Sequence, residues 1–148
     1  PRLHITQQAR PFEVAPLEEN YDVADVIHVE AAPFFDDMPE RIAGAHLVVA
    51  RAGASTCAEL AVIGRPSILI PLPTAMSDHQ SANAAWLAAA GAAIAVPQGG
   101  LTPEALGRVI GEVLDDPARL TAMAEAAAGI ARADAAERLA DLVEEAAA

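Results

Sequence analysis

Short apolar runs alternate with longer stretches of helical period along this chain. Leu3-His4-Ile5-Thr6 reads as a first strand and Val26-Ile27-His28-Val29 as a second. His46-Leu47-Val48-Val49-Ala50, Ser67-Ile68-Leu69-Ile70 and Ala93-Ile94-Ala95-Val96 read as a third, fourth and fifth. All are short, rich in β-branched residues and bounded by turn formers. Between them, Asp37-Met38-Pro39-Glu40 opens a helix that ends near Gly44, with Asp37 placed to cap and a proline tolerated in the first turn. Ser55 to Ile63 reads as a helix stopped by Gly64, and Asp78 to Ala90 as one stopped by Gly91. Residues 10–24 contain Pro11 and Pro16, are poorly patterned, and read as a loop with room for a short helix. From Thr102 the pattern is helical to the end. Leu106, Val109, Ile110, Val113 and Leu114 share one face, Asp116-Pro117 restarts a helix with Leu120 and Met123 inward, and a last helix from about Asp134 aligns Leu139, Leu142 and Val143.

Strands separated by helices predict βαβ units and a parallel sheet. The expected fold is therefore α/β, a Rossmann-like parallel sheet with helices on both faces, in one domain over residues 1–148. The strand runs are continuously apolar, as when both faces are covered. Trp86 is expected to pack on the sheet and Cys57 to lie in the core. The chain enters a strand at once, so a segment truncated at its N-terminus from a longer protein is expected. The C-terminal helices would then be free to dock elsewhere in that protein.

Charge narrows the partners. Nine cations face 21 carboxylates, for a formal net charge of −12, and every cation is arginine. A nucleic-acid face or a polybasic membrane patch has little to be built from. The single cysteine excludes an internal disulfide and a multi-cysteine zinc site, and His4, His28, His46 and His79 are not at metal-ligand spacing. No apolar run reaches the roughly 18–20 residues of a membrane span.

Ligands of open parallel sheets sit beyond the carboxyl ends of the strands. Three loops leave that edge here: Ala32–Asp37, Arg51–Thr56 and Leu72–Gln80. Each leads into a helix N-terminus, which suits phosphate whatever the net charge. In Arg51-Ala52-Gly53-Ala54-Ser55-Thr56, Gly53 and its small neighbours admit a ligand to the backbone. Glu59 follows one turn into the helix, where a carboxylate can accept from two adjacent hydroxyls, as on a ribose. Thr56-Cys57-Ala58-Glu59 equally has the spacing of a capping box, with Glu59 folded back on the helix start. Ser77-Asp78-His79-Gln80 has the same form, and Asn83 lies one turn on. His79, Gln80 and Asn83 suit either sugar hydroxyls or a solvated surface.

Four blocks carry a resemblance: Phe34-Phe35-Asp36-Asp37-Met38, Ala45 through Leu60 with its RAGAST…E motif, Gly64 through Pro73, and Asp78-His79-Gln80-Ser81-Ala82-Asn83-Ala84. In this order they resemble the C-terminal half of the MurG family, bacterial UDP-N-acetylglucosamine:lipid I N-acetylglucosaminyltransferases of peptidoglycan synthesis. The resemblance runs along the whole chain and is weakest over residues 10–25.

It implies the GT-B fold, two Rossmann-like domains across a cleft, of which this is the donor half. It implies that the backbone at Phe35 meets the uracil edge and that Glu59 binds the ribose hydroxyls. Gly53, Ala54, Ser55 and Thr56 would lie beside the diphosphate and sugar, and His79, Gln80 and Asn83 would hold GlcNAc hydroxyls. Arg51 matches the motif, with a structural role open to it. The implied reaction is a single inverting displacement of UDP by the muramoyl C4 hydroxyl, serving cell-wall growth, shape and division. No cofactor and no metal is implied. The acceptor domain, which would bring the lipid I contacts, the general base and the membrane attachment on the cytoplasmic face of the inner membrane, is outside this sequence. So are the first donor-domain strand and its glycine-rich loop. No catalytic residue is therefore expected within these residues, and the isolated segment is expected to be inactive. Two other readings remain: the donor domain of a different GT-B lipid glycosyltransferase, and a non-catalytic α/β module.

Overall fold

The computed structural model describes residues 3–22, 26–75 and 78–147. The chain divides into two compact units, Pro1–Arg41 and Ile42–Ala148.

In the first unit, β1 (Leu3–Gln8) and β2 (Val26–Ala32) pair in parallel, joined through α1 (Val14–Asp22). The register shifts after Leu3↔Val26 and then runs from His4↔His28 to Gln8↔Ala32. Of residues 10–24, expected as a loop with room for a short helix, Val14–Asp22 form α1, a nine-residue helix. Its prolines do not break it. Pro16 stands in the first turn, where a backbone N–H has no intrahelical acceptor to lose. Pro11 lies before the helix, and the Glu13 carboxylate accepts the Arg10 N–H at 3.0 Å to close the entry. The Tyr21 hydroxyl donates to Gln7 Oε1 at 2.8 Å, tying α1 to β1. Burial along β1 alternates, with Leu3, Ile5 and Gln7 half-buried and His4, Thr6 and Gln8 exposed. His4 and His28 stand side by side on that open face, ring centroids 6.1 Å apart.

A short helix, α2 (Met38–Gly44), crosses the boundary between the units. The second unit holds a parallel three-stranded sheet of β3 (Val48–Ala50), β4 (Ser67–Leu69) and β5 (Ala93–Ala95), in that spatial order. The helices α3 (Ala54–Ile63) and α4 (His79–Ala89) make its crossovers, and α5 (Pro103–Leu114), α6 (Pro117–Gly129) and α7 (Ala135–Ala147) follow. Neighbouring residues of a strand point to opposite faces. Ser67, Ile68 and Leu69 are all fully buried, so β4 is covered on both sides. Leu60, Leu87 and Val113 complete that core from α3, α4 and α5. Cys57 is buried with them, and burial pushes its thiol pKa up, as suits a packing residue.

The helix ends are set locally. α3 stops at Gly64, whose φ of 73° is left-handed, with Gly64 and Arg65 N–H groups closing on Ala61 and Leu60 carbonyls. The Thr102 hydroxyl accepts the Ala105 N–H at 3.2 Å and the Asp116 carboxylate accepts that of Arg119 at 3.0 Å, each followed by proline at the first helical position.

Trp86 departs from its expected place: it is 47% exposed. The inward positions of α4 are Ala84 and Leu87, and Trp86 lies about 100° round the helix from Leu87. On α7 no residue is buried, and Leu139, Leu142 and Val143 line an open face. Among the described residues no helix is long and apolar enough to cross a membrane.

Candidate functional site

The strands of the second unit are parallel, so the segments after β3, β4 and β5 leave the same edge. The first of these is Arg51-Ala52-Gly53. Gly53 is the N-cap of α3 in extended conformation, φ −64° and ψ 149°, with no side chain to cap the helix. A Cβ on it would meet only Thr56 Oγ1, at 3.7 Å. The first closing bond of the helix runs from Cys57 N–H to the Gly53 carbonyl at 2.9 Å. The N–H groups of Ala54, Ser55 and Thr56 precede that bond and have no acceptor within the helix. With the helix dipole behind them, they form a start suited to an anion.

This geometry removes the capping-box reading of Thr56 to Glu59. A box residue must lie outside the helix, and Thr56 is its third residue. Glu59 therefore sits in the second turn. It is exposed, and its carboxylate has no hydrogen-bond partner among the described residues.

The second helix start behaves differently. The Ser77 end of the other box lies outside the described residues. Asp78 is the N-cap of α4 with φ 52° and ψ 28°, and its side chain makes no cap bond. Aspartate is among the few residues that visit this left-handed region readily. Gln80 reaches away from its own helix, and its Oε1 accepts the Leu72 N–H at 2.9 Å. A backbone N–H can be met only by the oxygen of that amide, so the Gln80 NH₂ group is left as donor. Asn83 spends the opposite end: its Nδ2 donates to the Ala52 carbonyl at 3.0 Å, leaving its oxygen as acceptor. His79 is exposed at the first turn of α4. The expected sugar trio thus stands on one helix start, with Gln80 and Asn83 each tied by one end to a neighbouring loop.

Arg51 is a brace. Its Nη1 donates to the Ile70 carbonyl at 3.1 Å, the Pro71 carbonyl at 3.3 Å and Gln98 Oε1 at 2.8 Å. Gln98 was not singled out by the sequence pattern, because a partner 47 positions away leaves no local signature.

In the first unit, Phe35 lies between β2 and α2 and is 6% exposed. Its N–H donates to no other described residue. The Arg41 guanidinium lies over its ring, 4.2 Å from the centroid. The same group forks onto Glu30 at 2.6 and 2.9 Å and meets Asp37 at 2.6 Å. Hydrogen bonding from Arg41 holds both carboxyl groups below their usual pKa values and raises that of Arg41. The Asp37–Arg41 spacing of four was a readable signal for this cluster, and the link to Glu30 was not.

Known proteins match along nearly the whole chain. Residues 2–139 match the family described as glycosyltransferase family 28 C-terminal domain. A protein of Methylorubrum extorquens (strain PA1) is 51% identical over 147 residues, 99% of this chain and 40% of that relative. It is named UDP-N-acetylglucosamine--N-acetylmuramyl-(pentapeptide) pyrophosphoryl-undecaprenol N-acetylglucosamine transferase. A Mesorhizobium japonicum protein of the same name is 52% identical over 143 residues, covering 97% of this chain and 38% of its own. The chain thus spans about two-fifths of the length of the curated relatives it matches. The crystal structure of Acinetobacter baumannii MurG superposes with a TM-score of 0.89 at 34% identity, over 97% of this chain and 43% of that one. The glycosyltransferase VinC, at 17% identity and a TM-score of 0.67, shares the fold alone. The α/β class expected from the sequence, parallel strands with helices on both faces as in the C-terminal half of a GT-B protein, is the one these likenesses show, with the strands in two sheets, β1-β2 and β3-β4-β5, where one sheet was expected. The match over residues 2–139 shows that the chain belongs to the glycosyltransferase family 28 C-terminal domain family.

Proposed function

We propose that this chain is the donor-nucleotide domain of a transferase that moves GlcNAc from UDP-GlcNAc to lipid I, forming lipid II. The observation that carries the reading is Glu59. It is a solvent-facing carboxylate without a hydrogen-bond partner among the described residues, one turn into a helix whose first N–H groups lie beside an open glycine. A carboxylate so placed accepts from the two ribose hydroxyls, and the start of α3 faces the diphosphate. The relatives, named for UDP-N-acetylglucosamine chemistry, support the same reading.

On this reading the N–H of Phe35, which donates to no other described residue, contributes to uracil recognition, and His79, Gln80 and Asn83 meet hydroxyls of the sugar. The reaction is one inverting displacement at the anomeric carbon. Negative charge grows on the departing diphosphate, and the dipole of α3 with its unpaired N–H groups stabilises it. The general base, the lipid I contacts and attachment to the cytoplasmic face of the membrane belong to the part of the longer protein outside this chain. No step requires a metal or cofactor from these residues.

Calorimetric titration of the full-length protein with UDP-GlcNAc, UDP-GalNAc and UDP tests the proposal. UDP-GlcNAc binds tightest, and Glu59→Ala weakens both UDP and UDP-GlcNAc by about 2–4 kcal/mol through loss of two charge-assisted bonds. Unchanged UDP affinity in that variant removes Glu59 from the site. Equal affinity for the two sugar nucleotides moves the protein to a transferase of different sugar choice.

A further inference from the structure

We propose that Gln98 is a positioning residue that sets the sugar-reading end of α4 through Arg51. The inference rests on the reading of Gln80 given above and adds a residue that this reading did not contain.

A closed circuit of hydrogen bonds runs along the sheet edge. Arg51 Nη1 holds the Ile70 and Pro71 carbonyls at the end of β4. The next residue, Leu72, donates its N–H to Gln80 Oε1 on α4. One turn along the same helix, Asn83 donates to the carbonyl of Ala52, the residue that follows Arg51. Three segments are thereby linked in a ring, with Arg51 its only charged member. That side chain is long and exposed, so its rotamer entropy opposes holding the ring closed.

Gln98 supplies the outside anchor. Its Oε1 makes the shortest of the three contacts to Nη1, 2.8 Å. Its own backbone is fixed, since the Gln98 carbonyl accepts the Leu101 N–H at 3.1 Å in a turn where Gly100 takes a φ of +77°. An L side chain at position 100 would strain that turn. Thr102, which caps α5, follows directly. Gln98 is therefore presented from a turn held at both ends, by β5 and by the start of α5. It directs one Arg51 nitrogen onto the Ile70 and Pro71 carbonyls just after β4, and these set the position of the Leu72 N–H that orients the Gln80 amide.

The test uses the full-length protein and two variants. Gln98→Leu keeps the size and removes the acceptor, while Gln98→Glu keeps an acceptor for Arg51. Affinities for UDP-GlcNAc and UDP are measured by calorimetry, and exchange of the Leu72 amide is followed without ligand. Gln98→Leu is expected to weaken UDP-GlcNAc by about tenfold, as for one lost hydrogen bond to a charged group. It should leave UDP within about twofold and speed Leu72 exchange, and Gln98→Glu should restore both readouts. Unchanged UDP-GlcNAc affinity in Gln98→Leu, equal loss for both ligands, or no rescue by Gln98→Glu overturns the proposal. Should the wild type fail to distinguish UDP-GlcNAc from UDP, the donor reading falls. Leu72 exchange then decides the brace: faster in Gln98→Leu and restored in Gln98→Glu upholds it, and anything else removes it.

Discussion

The two units hold a candidate ligand loop by different means. In Pro1–Arg41 the loop before α2 is held by charge: one guanidinium over a buried aromatic ring and against two solvent-exposed carboxylates. In Ile42–Ala148 the loops after β3 and β4 are held by backbone carbonyls, two side-chain amides and an arginine, above a core of fully buried Leu60, Ile68, Leu69 and Leu87. Solvated ion pairs are weak and depend on pH and salt, whereas close packing depends on shape. The first loop should therefore respond to the medium and the second to substitutions beneath it.

Truncating the core should separate the units most. Leu60 is fully buried, and Leu60→Ala should cost about 2–5 kcal/mol in denaturant unfolding. Ile5, half-buried on the strand with one open face, should lose about 1 kcal/mol or less on truncation to alanine, a fraction of the full burial value. Equal losses at the two positions would mean that Ile5 on β1 is packed as fully as Leu60 on α3. A smaller effect is expected at the end of α3. Gly64→Ala puts a side chain at a φ of +73° and its Cβ 3.4 Å from that of Ala128, so about 1–2 kcal/mol should be lost. A neutral result in the same unfolding assay would show that the helix end relaxes without cost.

What was legible in the sequence was what short-range chemistry writes there. Thr102-Pro103, Asp116-Pro117 and Gly64 mark helix ends through bonds that reach three or four residues, and the structure places those ends where the residues say. The same locality misled at Pro16, where a first-turn proline looks like a break, and at Thr56, where capping-box spacing fell two residues inside a helix already begun at Ala54. Trp86 was misplaced because large apolar residues suggest burial, while the turn of α4 gives the inward positions to Ala84 and Leu87. Of the site, Glu59, Gln80 and Asn83 were readable as polar residues at helix starts. The ties of Gln80 to Leu72, of Asn83 to Ala52 and of Arg51 to Gln98 join segments that only the strand order brings together.

Acidification should give the gentlest separation of the units. Hydrogen bonding from Arg41 depresses the pKa values of Glu30 and Asp37 in the folded chain relative to the unfolded one. A depressed carboxyl pKa favours folding at neutral pH, and that contribution is lost as pH falls below about 4.5 and through the lowered folded values. The single tyrosine, Tyr21, lies in the first unit and the single tryptophan, Trp86, in the second, so each unit has its own optical probe. Near-ultraviolet circular dichroism of Tyr21 should change at a higher pH than the fluorescence of Trp86. Arg41→Lys removes the planar fork onto Glu30 and should move the tyrosine transition to higher pH, leaving that of Trp86 in place. If both probes move together in the wild type and in the variant, the charge cluster does not govern the first unit separately. Raised salt supplies the last discrimination: it screens exposed pairs, so it should shift the tyrosine signal and leave the amide-braced loops of the second unit unmoved.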